Sequence, residues 1–303
     1  MHQFNRNETI GEYIIQCTFS PKTQYVVINS ALSHNFFYRV GYIALYKLSN
    51  LMSIFKLQTK LRIPSLDWPT VYAFNNDDCV FIVSPDFESQ KIYYYDFCLG
   101  NSYPMVSRTN NITSMAVSGD KQTIVMKGDR NGVLTVFNPN TRTFKYIEIL
   151  NDFGDFSYFF NPNLVVNNDS SYVMYQNEQN LYLVNGASHK VRTMNIQHYD
   201  GGRMLFDNLN NFWYIAQWER SSYLNYFNSG SNTGGPKTDA MDFDIGAYGY
   251  ATINSNGYGV RKCDKSWKNC SQGQWPAALH TIRSDGHNLY TLDENNNFVK
   301  WIN

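Results

Sequence analysis

Few residues in this chain have the types and spacing that chemistry needs. The six histidines, His2, His34, His189, His198, His280 and His287, never fall at metal-ligand spacing. Asp239, Asp242 and Asp244 alternate as calcium ligands do, but the Gly and Glu that complete a calcium loop do not follow, so they read as a solvated turn. Asp77-Asp78 and Asp293-Glu294 fall in expected turns, where Asp caps backbone N–H groups. Phosphate loop, dinucleotide fingerprint, nucleophile elbow and zincin motif are all missing. Of the five cysteines, Cys17, Cys79 and Cys98 sit in apolar runs and read as small buried hydrophobes. Cys263 and Cys270 flank a polar stretch that could form a hairpin loop, and are candidates for a disulfide in an oxidising compartment. No catalytic residue, metal or cofactor is expected from these patterns.

A different chemistry is carried by bulky side chains set in polar, turn-rich stretches. Phe36, Phe37, Trp68, Trp218, Arg220 and Trp275 are of this kind. Aromatic rings and Arg are the side chains enriched at binding hot spots. Each could instead pack down on its own sheet, which is the commoner fate of a single such residue.

Composition narrows the field. Twenty-five basic and 25 acidic residues balance to zero, which excludes nucleic-acid binding through bulk positive charge. With 43% hydrophobic and 16% aromatic residues the chain can bury a large core, and it is not a disordered polymer. No run of 18 apolar residues offers a membrane span. The polar stretch Met1 to Thr9 lacks the apolar centre of a signal peptide, which implies a cytoplasmic protein, or an extracellular one if a leader was removed. Sequons at Asn7, Asn111, Asn168 and Asn269 do not change this: with 36 Asn in the chain, about five are expected by chance.

The elements that must position these residues are strands. Apolar runs of four to six residues, rich in Val, Ile, Tyr and Phe, alternate with Asn, Asp, Gly and Ser. The clearest unit is Ile112–Val117, Thr123–Met126, Val133–Phe137 and Phe144–Ile147, four short strands joined by tight turns. Comparable copies recur with a mean spacing of about 44 residues, a period typical of propeller blades. One such sheet cannot bury both faces, so each must stack on its neighbours. The expectation is an all-β, seven-bladed β-propeller of four-stranded antiparallel blades forming a single domain, 1–303. The last copy has three strands, and the N-terminal segment, residues 3–9, is expected to supply the fourth. The Gly- and Ser-rich stretch Asn228 to Thr238 is read as a flexible insertion.

Three segments resemble WD-repeat blades: Gly128 to Thr141, Thr18 to Val27, and Asn295 to Ile302 with Trp301 at the usual tryptophan position. Phe137-Asn138 and Trp301-Ile302 stand where the Trp-Asp dipeptide would be, and the Gly-His dipeptide before the first strand is missing. The His–Asp–Trp network of that family therefore does not carry over. The resemblance implies a non-enzymatic platform that binds protein partners within a larger assembly. In a propeller the connections between second and third strands, and from blade to blade, share one face, and the six bulky residues above all fall in such connections. An extracellular carbohydrate-binding or surface-structural propeller, with a glycan stacked on Trp or Tyr, is the alternative. An enzyme with a site pooled around the axis is a third reading.

Overall fold

The computed structural model describes residues 2–3, 13–31, 41–51, 54–65, 71–85, 90–107, 109, 111–128, 132–149, 164–176, 180–195, 204–207, 211–218, 221–228, 231–233, 240–246, 249–254, 257–264, 266, 268–284, 288–293 and 297–301, and in parts of several strands the backbone alone. Among the described residues every regular element is a strand, and the strands form seven four-stranded antiparallel sheets. Blade one is Tyr13–Phe19, Tyr25–Ala31, Gly41–Leu51 and Ile54–Ser65. Blade two is Val71–Phe74, Val80–Ser84, Lys91–Asp96 and Asn101–Val106. Blade three is Ile112–Val117, Ile124–Gly128, Val133–Asn138 and Thr143–Glu148. Blade four is Leu164–Val166, Tyr172–Gln176, Asn180–Asn185 and Val191–Asn195. Blade five is Met204–Phe206, Phe212–Trp218, Ser221–Asn228 and Ser231–Thr233. Blade six is Ala240–Gly246, Gly249–Asn254, Gly259–Cys263 and Cys270–Gln274. Blade seven is Leu279–Ser284, Leu289–Asp293 and Asn297–Trp301, completed by His2–Gln3.

The N-terminal strand pairs His2 with Phe298 and Gln3 with Asn297, so the fourth strand of the last blade begins at His2, one residue before the expected segment, of which residues 4–9 lie outside the described residues. The stretch read as a flexible insertion instead contains the outer strand of blade five, in which Ser231 pairs with Asn228 and Thr233 with Tyr226. Ser, Asn and Thr there show no apolar alternation, because an outermost strand is held by backbone hydrogen bonds to one neighbour and needs no buried face.

Two compact units divide the chain. One comprises Met1–Trp68 and Thr238–Asn303, hence blades one, six and seven; the other is Pro69–Lys237, blades two to five. Within each, consecutive blades share an apolar layer. Val80, Ile82 and Ile92 meet Met115, Ile124 and Met126 between blades two and three. Leu134 and Val125 meet Val173 and Tyr182 between blades three and four. Met174 and Leu181 meet Phe206 and Phe212 between blades four and five. In the other unit Ala251, Ile253 and Val260 of blade six meet Leu279, Ile282 and Leu289 of blade seven. The sheets of blades two to seven thus bury faces that they could not cover alone, the physical reason for stacking.

The turns at one end of the blades follow a repeated code. Between first and second strands, Ser20, Asn75, Ser118 and Asn167 each accept, through a side-chain oxygen, the N–H five residues on: Tyr25 at 3.0 Å, Val80 at 2.8 Å, Thr123 at 3.0 Å and Tyr172 at 2.9 Å. The residue three places on is left-handed in every case, at Thr23, Asp78, Lys121 and Ser170, with φ of 55°, 62°, 61° and 60°. Between third and fourth strands, Asp96, Asn138, Asn185 and Asp264 each cap two of the next four N–H groups. These are turns that Asx and Ser residues form because their short side chains replace a missing backbone partner. Three first turns are also tied together. Asn76 Nδ2 donates to Asn168 Oδ1 at 2.6 Å, Asp120 N donates to Asn168 O at 2.7 Å, and Ser170 Oγ donates to Asp120 Oδ1 at 2.8 Å. A Cβ at Gly119 would lie 2.5 Å from Asn168 Oδ1, so this approach requires glycine.

Candidate interaction surface

An antiparallel meander places its 1–2 and 3–4 turns at one end and its 2–3 connection and exit at the other. The capped turns just described therefore occupy one end of each blade. The predicted binding residues belong to connections at the opposite end. Trp218 is the last residue of the second strand of blade five, and Trp275 follows the last strand of blade six. Phe36, Phe37, Trp68 and Arg220 lie outside the described residues, in the connections after Ala31, Ser65 and Trp218.

Trp275 is the one of these whose surroundings are described. It is half-buried and packs against the apolar layer between blades six and seven. Its indole Nε1 donates to Asp293 Oδ2 at 3.1 Å, and Asp293 is buried at the end of the second strand of blade seven. Trp301 lies edge-on to it, with ring centroids 6.3 Å apart, and donates its own Nε1 to Thr291 Oγ1 at 2.9 Å. Trp301 also covers the backbone at Gly273, where a Cβ would meet the ring at 2.4 Å. The His–Asp–Trp network does not carry over, and in blade seven a different set of hydrogen bonds stands beside the buried carboxylate. An indole donor from the loop entering the blade serves the buried carboxylate, and the strand tryptophan bonds a strand hydroxyl. The Gly-His dipeptide was the only signal for that loop position, and Trp275 gives no such signal because it contributes the hydrogen bond from a different ring.

The acidic alternation has a different fate from a solvated turn. Asp242 and Asp244 are buried in the first strand of blade six, and Asp239 lies outside the described residues. That strand slips register between Ala240 and Asp242, as first strands also do at Ile14/Gln16, Ile112/Ser114 and Leu279/Thr281. The bulge leaves a residue unpaired and re-aims its neighbours. Asp242 Oδ2 accepts the Ile282 N–H at 2.9 Å and Arg283 Nη1 at 2.8 Å, which joins blade six to blade seven. A buried carboxylate needs such partners, and pairing with a neighbouring blade supplies them. In blade three and blade two a second ion pair, Lys121 Nζ to Asp96 Oδ2 at 3.2 Å, does the same.

Cysteines supply a further departure. Cys79 is half-buried and Cys98 exposed, and the two are bonded to each other, with Cα atoms 5.2 Å apart. They are not buried hydrophobes. Apolar neighbours in sequence misled that reading, because Cys79 precedes the buried strand Val80–Ser84 and Cys98 lies in the turn after Lys91–Asp96, both beyond the strand ends that face the core. Cys263 and Cys270 stand directly opposite each other in the third and fourth strands of blade six and are also bonded, with Cα atoms 4.1 Å apart.

Acid–base candidates are few. Burial pushes the Tyr94 phenol well above its ordinary range, with Tyr103 and Asp96 adding to the effect, so the group stays protonated at neutral pH. Among the described residues no cluster of His, Cys, Asp and Glu could hold a metal ion.

No family model matches the sequence, and neither does any curated protein. Solved structures do match. The C-terminal WD40 domain of Sif2 superposes with a TM-score of 0.59 at 11% identity, covering 96% of this chain and 82% of that one. The β-propeller domain of Myceliophteria thermophila Cps50 (Swd1) gives 0.60 at 9% identity, with 95% and 98% covered. Kuenenia stuttgartiensis hydrazine synthase gives 0.59 at 10% identity, with 96% and 95% covered. At such identities the likeness establishes the fold, a WD-repeat-like seven-bladed β-propeller. It does not choose between scaffold and enzyme, because one of the three is named as an enzyme.

Proposed function

We propose that the chain is a non-enzymatic protein-binding platform that uses the connections carrying Phe36, Phe37, Trp68, Trp218 and Arg220. The observation that carries this reading is the asymmetry of the blades. At one end the described turns are short and closed on themselves by Asx and Ser side chains. The connections at the other end hold Phe36, Phe37, Trp68 and Arg220, and Trp218 ends the strand that leads into one of them. In a chain with zero net charge, affinity must come mainly from desolvated apolar surface, and rings with Arg supply it. Trp275 supports that end from beneath, through Asp293 and Trp301, more than it contacts a partner.

The test is capture of partners from the native source on immobilised protein, with wild type compared against Trp218→Ala and Arg220→Ala. A protein retained by the wild type and weakened about 30-fold or more by either variant, with unchanged thermal unfolding, supports the platform. A captured protein that both variants bind equally well refutes it.

The two disulfides favour a second reading, an extracellular surface-structural or carbohydrate-binding propeller. On that reading Trp218 stacks on a sugar ring, and a glycan array in place of the extract gives the signal that Trp218→Ala removes.

A further inference from the structure

We propose that this protein belongs to an oxidising compartment, outside the reducing cytosol, with Cys79–Cys98 and Cys263–Cys270 formed by thiol–disulfide exchange that begins at Cys270 in blade six. Four of the five cysteines stand in two pairs within bonding reach, with Cα separations of 5.2 and 4.1 Å. Both pairs lie at the end of their blade that carries the capped turns: Cys79 and Cys98 extend the pairing of Val80 with Asp96, and Cys263 and Cys270 flank the turn capped by Asp264. Cys98 and Cys270 are exposed. An exposed thiol has no packing role to justify it, and in a reduced protein it is a site of damage.

Arg261 sets the order of events. Its Nη2 donates to Cys270 Sγ at 3.5 Å, and its Nε is buried without a hydrogen-bond partner. A guanidinium beside a sulfur stabilises the thiolate, the form that attacks. The Cys270 thiolate attacks the disulfide of an oxidant, either a dithiol–disulfide exchange protein or oxidised glutathione. One oxidant sulfur leaves as a thiol and the other stays in a mixed disulfide. The Cys263 thiolate then displaces that sulfur. Overall two protons and two electrons pass to the oxidant, which ends as two thiols, and the Cys263–Cys270 bond is formed.

The test uses protein isolated from its native host, quenched in acid and alkylated before and after reduction, then mapped as peptides. The expected result is a single thiol, Cys17, labelled without reductant, with linked peptides for 79/98 and 263/270. Five labelled thiols would overturn the compartment assignment, and linkages other than 79/98 and 263/270 would overturn the pairing and with it the order of events. For the order of events, the reduced protein is reoxidised with oxidised glutathione. Arg261→Ala should slow closure of 263/270 several-fold and leave that of 79/98 unchanged, whereas Arg261→Lys should restore much of the rate. Equal rates for the wild type and Arg261→Ala would refute the role of Arg261.

Discussion

Replacing Trp275 separates a partner-binding residue from a supporting one. A tryptophan that packs fully buries about 150–250 Å². Trp275 is half-buried against the layer formed by Leu279, Ile282 and Leu289, so truncation to Ala returns roughly 100 Å² of apolar surface to water. At about 25 cal/mol per Å² that costs about 2.5 kcal/mol. The hydrogen bond to the Asp293 carboxylate adds about 1.5 kcal/mol, the lower end for a bond to a charged group, since Asp293 keeps other contacts. Trp275→Ala should therefore lose about 4 kcal/mol, a large part of a normal domain stability. Trp275→Phe keeps most of the ring against Trp301 and loses the donor, so about 2 kcal/mol is expected. The assay is urea unfolding followed by far-ultraviolet circular dichroism, with linear extrapolation for all three proteins. The reasoning fails if Trp275→Ala costs less than about 1 kcal/mol while partner binding collapses, because the indole would then be a surface anchor.

Two further outcomes follow from the polar contacts. Asp242→Ala should cost about 3 kcal/mol in the same assay, since it removes a buried acceptor from both the Ile282 N–H and the Arg283 guanidinium, whereas Asp242→Asn, which still accepts a hydrogen bond, should cost about half as much; equal losses would deny the ion pair any role. The Ser171 hydroxyl and N–H, with the Asn167 amide, hold the Asp169 carboxyl below its ordinary range. Its folded pKa lies under its unfolded one, so the contribution is present above the unfolded value and is lost as pH falls through the folded value. The site is largely exposed, so the effect should stay below about 1 kcal/mol, and Asp169→Asn should flatten the acid limb of a stability–pH profile by that amount.

Much of this architecture could be read from local patterns. Strand runs such as Val80–Ser84 and Val133–Asn138, and the turn residues after them, are short-range features, because a two-residue period and an Asx cap depend only on near neighbours. The repeat followed from the spacing of those runs, and the count of seven sheets with a borrowed last strand followed from the repeat. Whether a polar or sulfur-bearing side chain turns inward was a different matter. Asp242 is alternated with Asp244 in a way that reads as solvated, and only the bulge after Ala240 and the presence of Arg283 on the next blade make its burial affordable. Cys79 and Cys98 are 19 residues apart and met only through the register that pairs Val80 with Asp96. Trp275 looked like the other loop aromatics, and what distinguishes it is Asp293, 18 residues further on. Sequence determined the blades because each blade is closed by its own neighbours. Tertiary structure decided the fate of these charges, thiols and rings, because the partner that satisfies each one sits in another strand, and for Asp242 and Trp275 in another blade.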